Sequence, residues 1–258
     1  MKTLKTFKLF IENKQETFNY NYMIDYTLLD KNASDEDIIK LCEKAKKFKT
    51  KSVCIYPKHV SLAAKELENS DVLVCTVISF PEGTNTIEEK EIETRKVISD
   101  GADEIDMVLN YQLLIEYWEN QDDLENIYDI LVEEVNSLVN ICHKSINKDG
   151  NEIILKVIVE SGLLSIDQTI MTTNICIDAN ADFIKTSTGK VSVGAELSKV
   201  KAMYHTIKDY NSQLKIKASG GIRTLSDIQI YKPYVDRFGM GYGSVDKLNG
   251  IESNSIGY

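Results

Sequence analysis

Short runs of β-branched and aliphatic residues alternate with longer segments of helical period from about residue 21 onward. This alternation predicts a parallel sheet whose strands are joined by crossover helices. The apolar runs are eight in number, at residues 22–29, 52–56, 72–79, 104–110, 153–160, 183–187, 214–219 and 237–241. Eight strand–helix units in a chain of this length predict an α/β fold, a single-domain (β/α)8 TIM barrel.

The polar positions set the limits of this barrel. Residues 1–20 are expected to form an N-terminal arm or short helix, residues 21–248 the barrel, and residues 249–258 a flexible C-terminal tail. Helix starts carry cap signals, since Ser34 precedes three acidic residues and Thr86 lies three residues before Glu89. The acidic segment 116–148 is helical in composition and forms either one extended helix or two.

Charge and composition narrow the functional classes. The net charge of −10 argues against nucleic acid as a partner and favours a small one. No apolar run is long enough for a membrane span and the N-terminus lacks a secretory core, so a cytoplasmic location is expected. Five cysteines without a CxxC pair and three histidines without ligand spacing predict neither a disulfide framework nor a metal site.

Two lysines lie inside consecutive predicted strands, Lys185 on the sixth and Lys217 on the seventh. Burying charged lysines is costly, and two ammonium groups ~4 Å apart repel by about 4 kcal/mol at an effective dielectric constant of ~20, so one of them is expected to give up its proton. A neutral amine is a nucleophile, and the pair therefore predicts Schiff-base chemistry on a carbonyl group. The alternative is that each lysine lies at a strand end and reaches solvent.

Glycines and two cationic side chains follow the last three predicted strands. In a barrel these turns commonly bind phosphate, because glycine lets backbone N–H groups approach an anion. The alternative is that the glycines only form tight turns. The residues concerned are Gly189, Lys190, Gly220, Gly221, Arg223, Gly239 and Gly241.

Asp106 is enclosed by apolar neighbours on the fourth predicted strand. Strand alternation places it on one face with Glu104, so it is expected to point into the barrel toward the lysines. There it either transfers protons through a water molecule or forms a structural ion pair, and the two roles are compatible. Lys156 is expected to form a structural ion pair with an acid. The position of Asp25 on the first strand does not by itself indicate a role.

With these residues in place, the chain resembles the deoxyribose-phosphate aldolase family of class I aldolases. The resemblance covers roughly residues 21 to 243, and its strand 6 motif is highly specific. The matching segments are residues 24–29, 53–57, 79–83, 101–106, 155–162, 181–189 and 218–223.

The resemblance implies roles for individual residues. Lys185 would be the Schiff-base lysine, Lys217 the second lysine that favours its neutral form, and Asp106 the proton-relay acid. Tyr258 looks like the terminal tyrosine that some relatives carry on a mobile tail; the alternative is a terminus with no role. The same resemblance implies substrate-binding roles for Asp25, Thr27, Cys54 and Thr186, and phosphate contacts for the seven residues of the glycine-rich turns.

The implied reaction is reversible cleavage of 2-deoxy-D-ribose 5-phosphate to D-glyceraldehyde 3-phosphate and acetaldehyde, in deoxyribonucleotide catabolism. It needs no metal or organic cofactor. The expected partners are small phosphorylated sugar and aldehyde substrates, with a homodimer as the assembly considered. Two alternatives stay open: another Schiff-base barrel, such as a transaldolase or a sugar-bisphosphate aldolase, and a barrel that only binds its ligand.

The sequence departs from the family pattern in two places. After Arg237-Phe238-Gly239 the chain continues Met240-Gly241-Tyr242, where relatives usually have a small residue and serine, so hydroxyl donors are expected to be missing from the phosphate site. Lys215 lies two residues before Lys217. It is expected either low in the barrel or turned outward by a bulge.

Overall fold

A closed barrel of eight parallel strands forms in chain order, and β8 pairs with β1 to complete it. The protein is represented by a computed structural model, which describes residues 20–251. The predicted (β/α)8 barrel is confirmed, and each predicted run contains a strand. The strands are β1 Ile24–Leu28, β2 Ser52–Ile55, β3 Leu73–Ile78, β4 Glu104–Val108, β5 Ile154–Ile158, β6 Phe183–Lys185, β7 Lys215–Ser219 and β8 Arg237–Gly241.

Helices follow the strands around the outside of the barrel. Between residues 20 and 251 they are α1 Asp35–Phe48, α2 Val60–Glu66, α3 Ile87–Ser99, α4 Tyr111–Tyr117, α5 Gln121–His143, α6 Ile166–Asp178, α7 Leu197–Asp209, α8 Leu225–Tyr231 and α9 Tyr242–Leu248. The acidic segment 116–148 therefore holds the end of α4 and all of α5, so it belongs to two helices. Short 3₁₀ turns cover Asn21–Met23, Pro57–His59 and Ser161–Leu163.

Side-chain caps fix where several of these helices begin. The Ser34 hydroxyl accepts a hydrogen bond from the Asp37 N–H, and the Thr86 hydroxyl accepts one from the Glu89 N–H. In both cases the acidic side chain returns a bond to the cap residue, which completes a capping box. Both predicted helix starts are confirmed.

The apolar core lies between the barrel and its helices. On β4, for example, Ile105 and Met107 belong to this outer core, whereas Glu104 and Asp106 point inward. Barrel interiors are usually filled by branched apolar side chains. Here a small apolar cluster that includes Cys54, Cys75 and Val77 shares the interior with charged side chains, and this arrangement defines the site.

The two chain ends lie mostly beyond the described residues. Residues 1–19 and 252–258 fall outside them, and so does the proposed role of Tyr258. Asn249, the first residue of the sequence-assigned tail, is held against the barrel bottom, because it accepts a hydrogen bond from the Asn21 amide at 2.8 Å. No helix within residues 20–251 is long and apolar enough to cross a membrane.

Candidate active site

Charged side chains converge inside the barrel from six of its eight strands. All of them are nearly or fully buried, and three carboxylates face four cationic groups. Burying so many charges is tolerated only where each one is paired and hydrogen-bonded. The seven residues are Asp25, Glu104, Asp106, Lys156, Lys185, Lys217 and Arg237.

Asp106 is the centre of this network. Its Oδ2 accepts hydrogen bonds from Lys185 and Lys217, each at 2.7 Å, and its Oδ1 accepts one from Lys156 at 2.9 Å. The Cys75 thiol also donates to Oδ1, at 3.1 Å. Burial alone would raise the pKa of Asp106, but the three ammonium groups outweigh it and hold the pKa well below its ordinary value. Asp106 is therefore an ionised carboxylate.

The two lysines of the sequence prediction differ in their partners. The Lys217 ammonium pairs with Asp25 Oδ2 at 2.5 Å as well as with Asp106. Burial lowers the pKa of Lys217, but Asp106 and Asp25 outweigh it and raise the pKa well above its ordinary value. Among the described carboxylates, only Asp106 lies within 4.0 Å of the Lys185 amine. Lys185 is thus the less neutralised of the two cations.

A second layer of charges lies deeper in the barrel. Arg237 pairs with Asp25 at 2.6 Å and with Glu104 at 3.1 Å, and Lys156 pairs with Glu104 at 2.7 Å. The expected pairing of Lys156 with an acid is confirmed. Sequence reasoning assigned Glu104 and Arg237 no part in the site, although charged residues at alternating positions of β4 and at the start of β8 were the available signal.

The network makes stability depend on pH. Despite the burial that opposes it, Arg237 and the lysines lower the pKa values of Asp25 and Glu104, as the lysines do for Asp106. The unfolded chain therefore binds more protons in acid than the folded one, and the stabilisation is lost as pH falls below about 5. We expect the free energy of unfolding in urea to drop by at least about 2 kcal/mol between pH 7 and pH 3. A value that is constant over this range would contradict the pairing.

A cavity of about 310 Å³ opens at the carboxyl ends of β6, β7 and β8. Six of the seven residues expected to bind phosphate line it, the exception being Lys190. Gly220 and Gly221 have φ values of +78° and +85°, a backbone conformation that favours glycine. The lining residues are Gly189, Val191, Ser192, Gly194, Gly220, Gly221, Ile222, Arg223, Gly239, Gly241 and Ser244.

Gly239 joins this cavity to the lysines. A Cβ atom placed on Gly239 would lie 2.9 Å from the Ser219 Cβ and 3.2 Å from the Lys217 Cε. The absence of a side chain therefore lets β8 approach β7 closely at the level of Lys217. A molecule bound in the cavity has the charged network as its immediate neighbour.

Two other predicted site residues, Lys190 and Thr186, do not line the cavity. The Lys190 amine reaches across the barrel mouth and donates to the Leu29 carbonyl at 2.8 Å, so Lys190 does not line the cavity. The Thr186 hydroxyl donates to the Ser219 carbonyl and accepts from the Ser219 N–H, both at 2.9 Å. Both hydrogen bonds join β6 to β7, and the substrate-binding role of Thr186 stays a prediction.

The residues expected to bind substrate from β1 and β2 form part of the barrel interior. Asp25 is the partner of Lys217 and Arg237, and the Thr27 hydroxyl donates to the Asp25 carbonyl at 2.9 Å. Neither residue lines the cavity, because their charged and hydroxyl groups are used within the barrel. Cys54 is fully buried beside Cys75.

The turn after β8 corrects the expectation that hydroxyl donors are missing. Ser244, in the first turn of α9, lines the cavity and supplies a hydroxyl group there. Sequence reasoning missed it because the serine follows β8 by three residues. Lys215 lies at the exposed start of β7, with its amine 5.5 Å from the centre of the Phe183 ring, so the alternative of a low position in the barrel is the correct one.

Glu160 is a further residue that the sequence did not single out. It follows β5 in a left-handed conformation with φ of +48°, and its carboxylate accepts hydrogen bonds from the Thr188 N–H and hydroxyl. Burial raises the pKa of Glu160, and the hydrogen bonds from Thr188 oppose that effect. The contact fixes the turn that leads from β6 to Gly189.

Comparison with known proteins defines the class. A family model described as DeoC/LacD family aldolase matches residues 20–232. Deoxyribose-phosphate aldolase from Mycoplasmoides pirum is 43% identical over 222 residues, 86% of this chain and 93% of that protein. The enzyme from Treponema denticola is 42% identical over 231 residues, 90% of this chain and 96% of that protein.

Solved structures agree with these relatives. The tetrameric deoxyribose phosphate aldolase from Aeropyrum pernix superimposes with a TM-score of 0.74 at 26% identity, covering 89% of each chain. An aldolase called QR15 gives a TM-score of 0.74 at 31% identity over 88% of this chain and 93% of its own. The barrel and its lysine-rich interior thus define a carbon–carbon lyase. This chain belongs to the DeoC/LacD aldolase family.

Proposed function

We propose that this protein cleaves 2-deoxy-D-ribose 5-phosphate reversibly to D-glyceraldehyde 3-phosphate and acetaldehyde, in the cytoplasm, as a step of deoxyribose catabolism. Lys185 forms the Schiff base. The observation that carries the proposal is the single carboxylate oxygen, Asp106 Oδ2, that two lysine amines share at 2.7 Å beside a glycine-lined cavity. The names of the curated relatives supply the substrate.

The charge balance supports Lys185 as the nucleophile. Three carboxylates and four cationic groups leave one excess positive charge inside the barrel when all seven are ionised. Release of one proton by Lys185 removes that excess. The other three cations each contact at least two carboxylates within 4.0 Å, whereas Asp106 is the one described carboxylate that Lys185 contacts.

The reaction follows from these positions. Neutral Lys185 attacks the carbonyl carbon of the open-chain sugar, and loss of water gives a protonated imine that withdraws electrons. Asp106, through a water molecule, takes the proton of the C3 hydroxyl group, and the C2–C3 bond breaks to release glyceraldehyde 3-phosphate and leave an enamine. Asp106, through a water molecule, returns a proton to the enamine carbon, and hydrolysis frees acetaldehyde. A contribution of Tyr258 to this proton transfer stays a proposal.

The cavity suits the phosphate group of this sugar. Left-handed glycines line it and leave room for an anion to approach the backbone, and Arg223 and Ser244 add a full positive charge and a hydroxyl group. A phosphate group bound there lies next to Gly239. The backbone of Gly239 is in turn close to the Lys217 side chain, so the phosphate is near the charged network. The substrate then extends from the cavity toward the amine of Lys185.

A substrate panel tests the proposal. We expect the purified protein to release acetaldehyde from 2-deoxy-D-ribose 5-phosphate and to form that sugar phosphate from the two aldehydes. It should not cleave fructose 1,6-bisphosphate or transfer a three-carbon unit between sugar phosphates. Activity on either of the latter substrates, without activity on the deoxy sugar, would assign a different aldolase reaction.

Arg223→Ala should raise KM for the phosphorylated sugar by about 10- to 100-fold, since it removes a charged hydrogen-bond donor from the cavity. Turnover of unphosphorylated 2-deoxyribose should change little. Initial rates with both sugars measure the difference, and Arg95→Ala, an exposed arginine on α3, is the matched control. Equal effects on the two sugars would place the phosphate outside this cavity.

Lys217→Leu should shift the pH–rate profile toward alkaline pH by about one pH unit or more. The reason is that Lys185 would then be the only lysine on Asp106 Oδ2 and would keep its proton to higher pH. Lys215→Leu, at the exposed start of the same strand, is the control and should keep the original profile. An unchanged profile in Lys217→Leu would remove this residue from proton release by Lys185.

A further inference from the structure

Two of the five cysteines face each other inside the barrel. Cys54 on β2 and Cys75 on β3 are direct partners in the strand register, and both are fully buried in one small interior cluster. Their sulfur atoms and a carboxylate oxygen of Asp106 all lie within 4.8 Å of one another. The mechanism proposed above uses neither thiol.

The register is compatible with a disulfide bond. Neighbouring strands of a sheet are about 4.8 Å apart, and disulfide-bonded cysteines have Cα atoms about 4.4 to 6.8 Å apart. Both side chains point to the same face, so their sulfurs need only small rotations to meet. The other cysteines lie in the outer core on three different helices, at Cys42, Cys142 and Cys176.

The two thiols have different chemical environments. A side-chain hydrogen bond with Cys75 lowers the pKa of Cys54, and the ammonium groups of Lys217 and Lys185 act in the same direction. Burial raises the pKa of Cys75 well above its ordinary value. Cys54 is therefore the sulfur that more readily becomes a thiolate, and thiolates rather than thiols react with peroxides.

The same three atoms have the spacing of a site for a thiophilic metal ion. However, Asp106 already pairs with three ammonium groups, and Lys156 also donates to the Cys75 sulfur at 3.3 Å. The lysine ammonium groups around Asp106 would repel a divalent cation, whereas disulfide formation adds no charge. The surrounding charges therefore favour oxidation over metal binding.

We propose that Cys54 and Cys75 form a peroxide-oxidisable dithiol whose disulfide reversibly inhibits the enzyme. The Cys54 thiolate attacks one oxygen of hydrogen peroxide, the O–O bond breaks, and hydroxide leaves, which gives a sulfenic acid on Cys54. The Cys75 sulfur then attacks the Cys54 sulfur, the S–O bond breaks, and the Cys75 proton leaves with the departing hydroxide as water. The first hydroxide takes up the proton that the Cys54 thiol released on ionising. Both sulfurs are thus oxidised, one molecule of peroxide is reduced, and two molecules of water are formed.

Peroxide can reach Cys54, and the disulfide should lower turnover, because both cysteines lie beside the catalytic lysine and Asp106. Lys185 is only 1% exposed although a sugar must reach it, and Cys54 is close enough to feel its charge. A route that admits the sugar therefore admits the much smaller peroxide. Disulfide formation removes the hydrogen bond that Cys75 donates to Asp106 at 3.1 Å. Loss of a hydrogen bond to a charged group should reduce turnover by about tenfold or more.

Mass spectrometry tests the disulfide directly on the unmodified full-length chain. Tryptic cleavage at lysine places Cys54 in residues 52–58 and Cys75 in residues 66–90, each with no other cysteine. After treatment with hydrogen peroxide and alkylation of the remaining thiols in denaturant, we expect these peptides to be linked, and dithiothreitol to separate them. Two alkylated peptides, Cys54 as a stable sulfinic acid, or a link to another cysteine would each overturn the proposal.

An activity assay with variants tests the inhibition. The wild-type enzyme should lose activity in peroxide and regain it in dithiothreitol, as should Cys176→Ala, which lacks a buried thiol outside the barrel. Cys75→Ala should lose activity that dithiothreitol does not restore, because the Cys54 sulfenic acid then has no partner thiol and a second peroxide oxidises it to a sulfinic acid, which dithiothreitol does not reduce. Full recovery in Cys75→Ala would overturn the inhibitory role. The peptide link is independent of turnover, so its absence and the absence of aldolase activity are distinguishable.

Discussion

Lys185→Arg should lower aldolase turnover by roughly 10⁴-fold or more, the scale on which removal of a covalent nucleophile acts. Arginine keeps the positive charge beside Asp106, so the ion pair at 2.7 Å has a replacement and the fold should persist. A guanidinium group cannot form the imine, because it stays protonated and its nitrogen electrons are delocalised. The measurement is the initial rate of acetaldehyde release, with the melting temperature recorded in parallel.

Lys215→Arg is the matched control for this substitution. It makes the same chemical change on the neighbouring strand, where the amine lies at an exposed position near the Phe183 ring. Turnover should stay within about twofold of the wild-type value, as is usual for a surface substitution. Near-normal turnover in Lys185→Arg would contradict the assignment of the nucleophile, whatever the control shows.

Asp106→Asn should have the second largest effect, a fall in turnover of about 10²- to 10⁴-fold, which is the range of general acid–base catalysis. The amide cannot accept the proton that Asp106 is proposed to transfer. The variant should also be less stable by about 3 to 5 kcal/mol, since Lys156, Lys185 and Lys217 lose a shared buried counter-charge. Initial rates and urea unfolding measure the two effects separately.

Glu134→Gln separates catalysis from stability in this test. Glu134 on α5 pairs with the buried Lys90 of α3 at 2.6 Å, outside the barrel. Its replacement also leaves a lysine without its buried carboxylate and should cost a similar amount of stability. Turnover per folded molecule should fall by less than about tenfold. If both variants lost turnover equally, Asp106 would have a structural role only.

The fold could be predicted from the sequence because apolar residues recur with different periods in barrel strands and in helices. Eight apolar runs gave eight strands, and β8 at Arg237–Gly241 was predicted to the residue. β7 also ends where predicted, and the other six strands end one or two residues earlier than predicted, as β6 does at Lys185. There the apolar or hydroxyl side chains beyond the strand remain buried in the loop, so the sequence pattern continues where strand pairing stops.

The position of Lys185, Lys217 and Asp106 was also predictable, since strand alternation fixes which face a side chain occupies. What alternation does not give is the partner chosen by a long side chain. Lys190 is flexible enough to reach the carbonyl of Leu29 across the mouth. The Thr186 hydroxyl forms two hydrogen bonds with the backbone of Ser219 on the neighbouring strand. These contacts depend on the three-dimensional register, which no local pattern encodes.

Apart from the pairing of Lys156 with an acid, the deeper charge layer escaped prediction for a related reason. Taken one at a time, the three charged residues of this layer are costly to bury in a strand. Only the structure shows that the Glu104 carboxylate pairs with both Lys156 and Arg237, so that the buried charges neutralise one another. Ser244 escaped because it reaches the cavity from a helix and not from the turn after β8. The sequence thus predicted that Lys185, Lys217 and Asp106 lie together inside the barrel. It did not predict the number of buried ion pairs that surround them.

Reductive trapping tests the central claim most directly. The protein is incubated with acetaldehyde and sodium borohydride, digested with trypsin and analysed by mass spectrometry. An ethyl group on Lys185 should block cleavage at that residue, so that residues 157–190 appear as one modified peptide, while Lys217 stays unmodified. Modification of Lys217 or Lys156 instead of Lys185, or no borohydride-dependent modification while the enzyme turns over, would contradict the account.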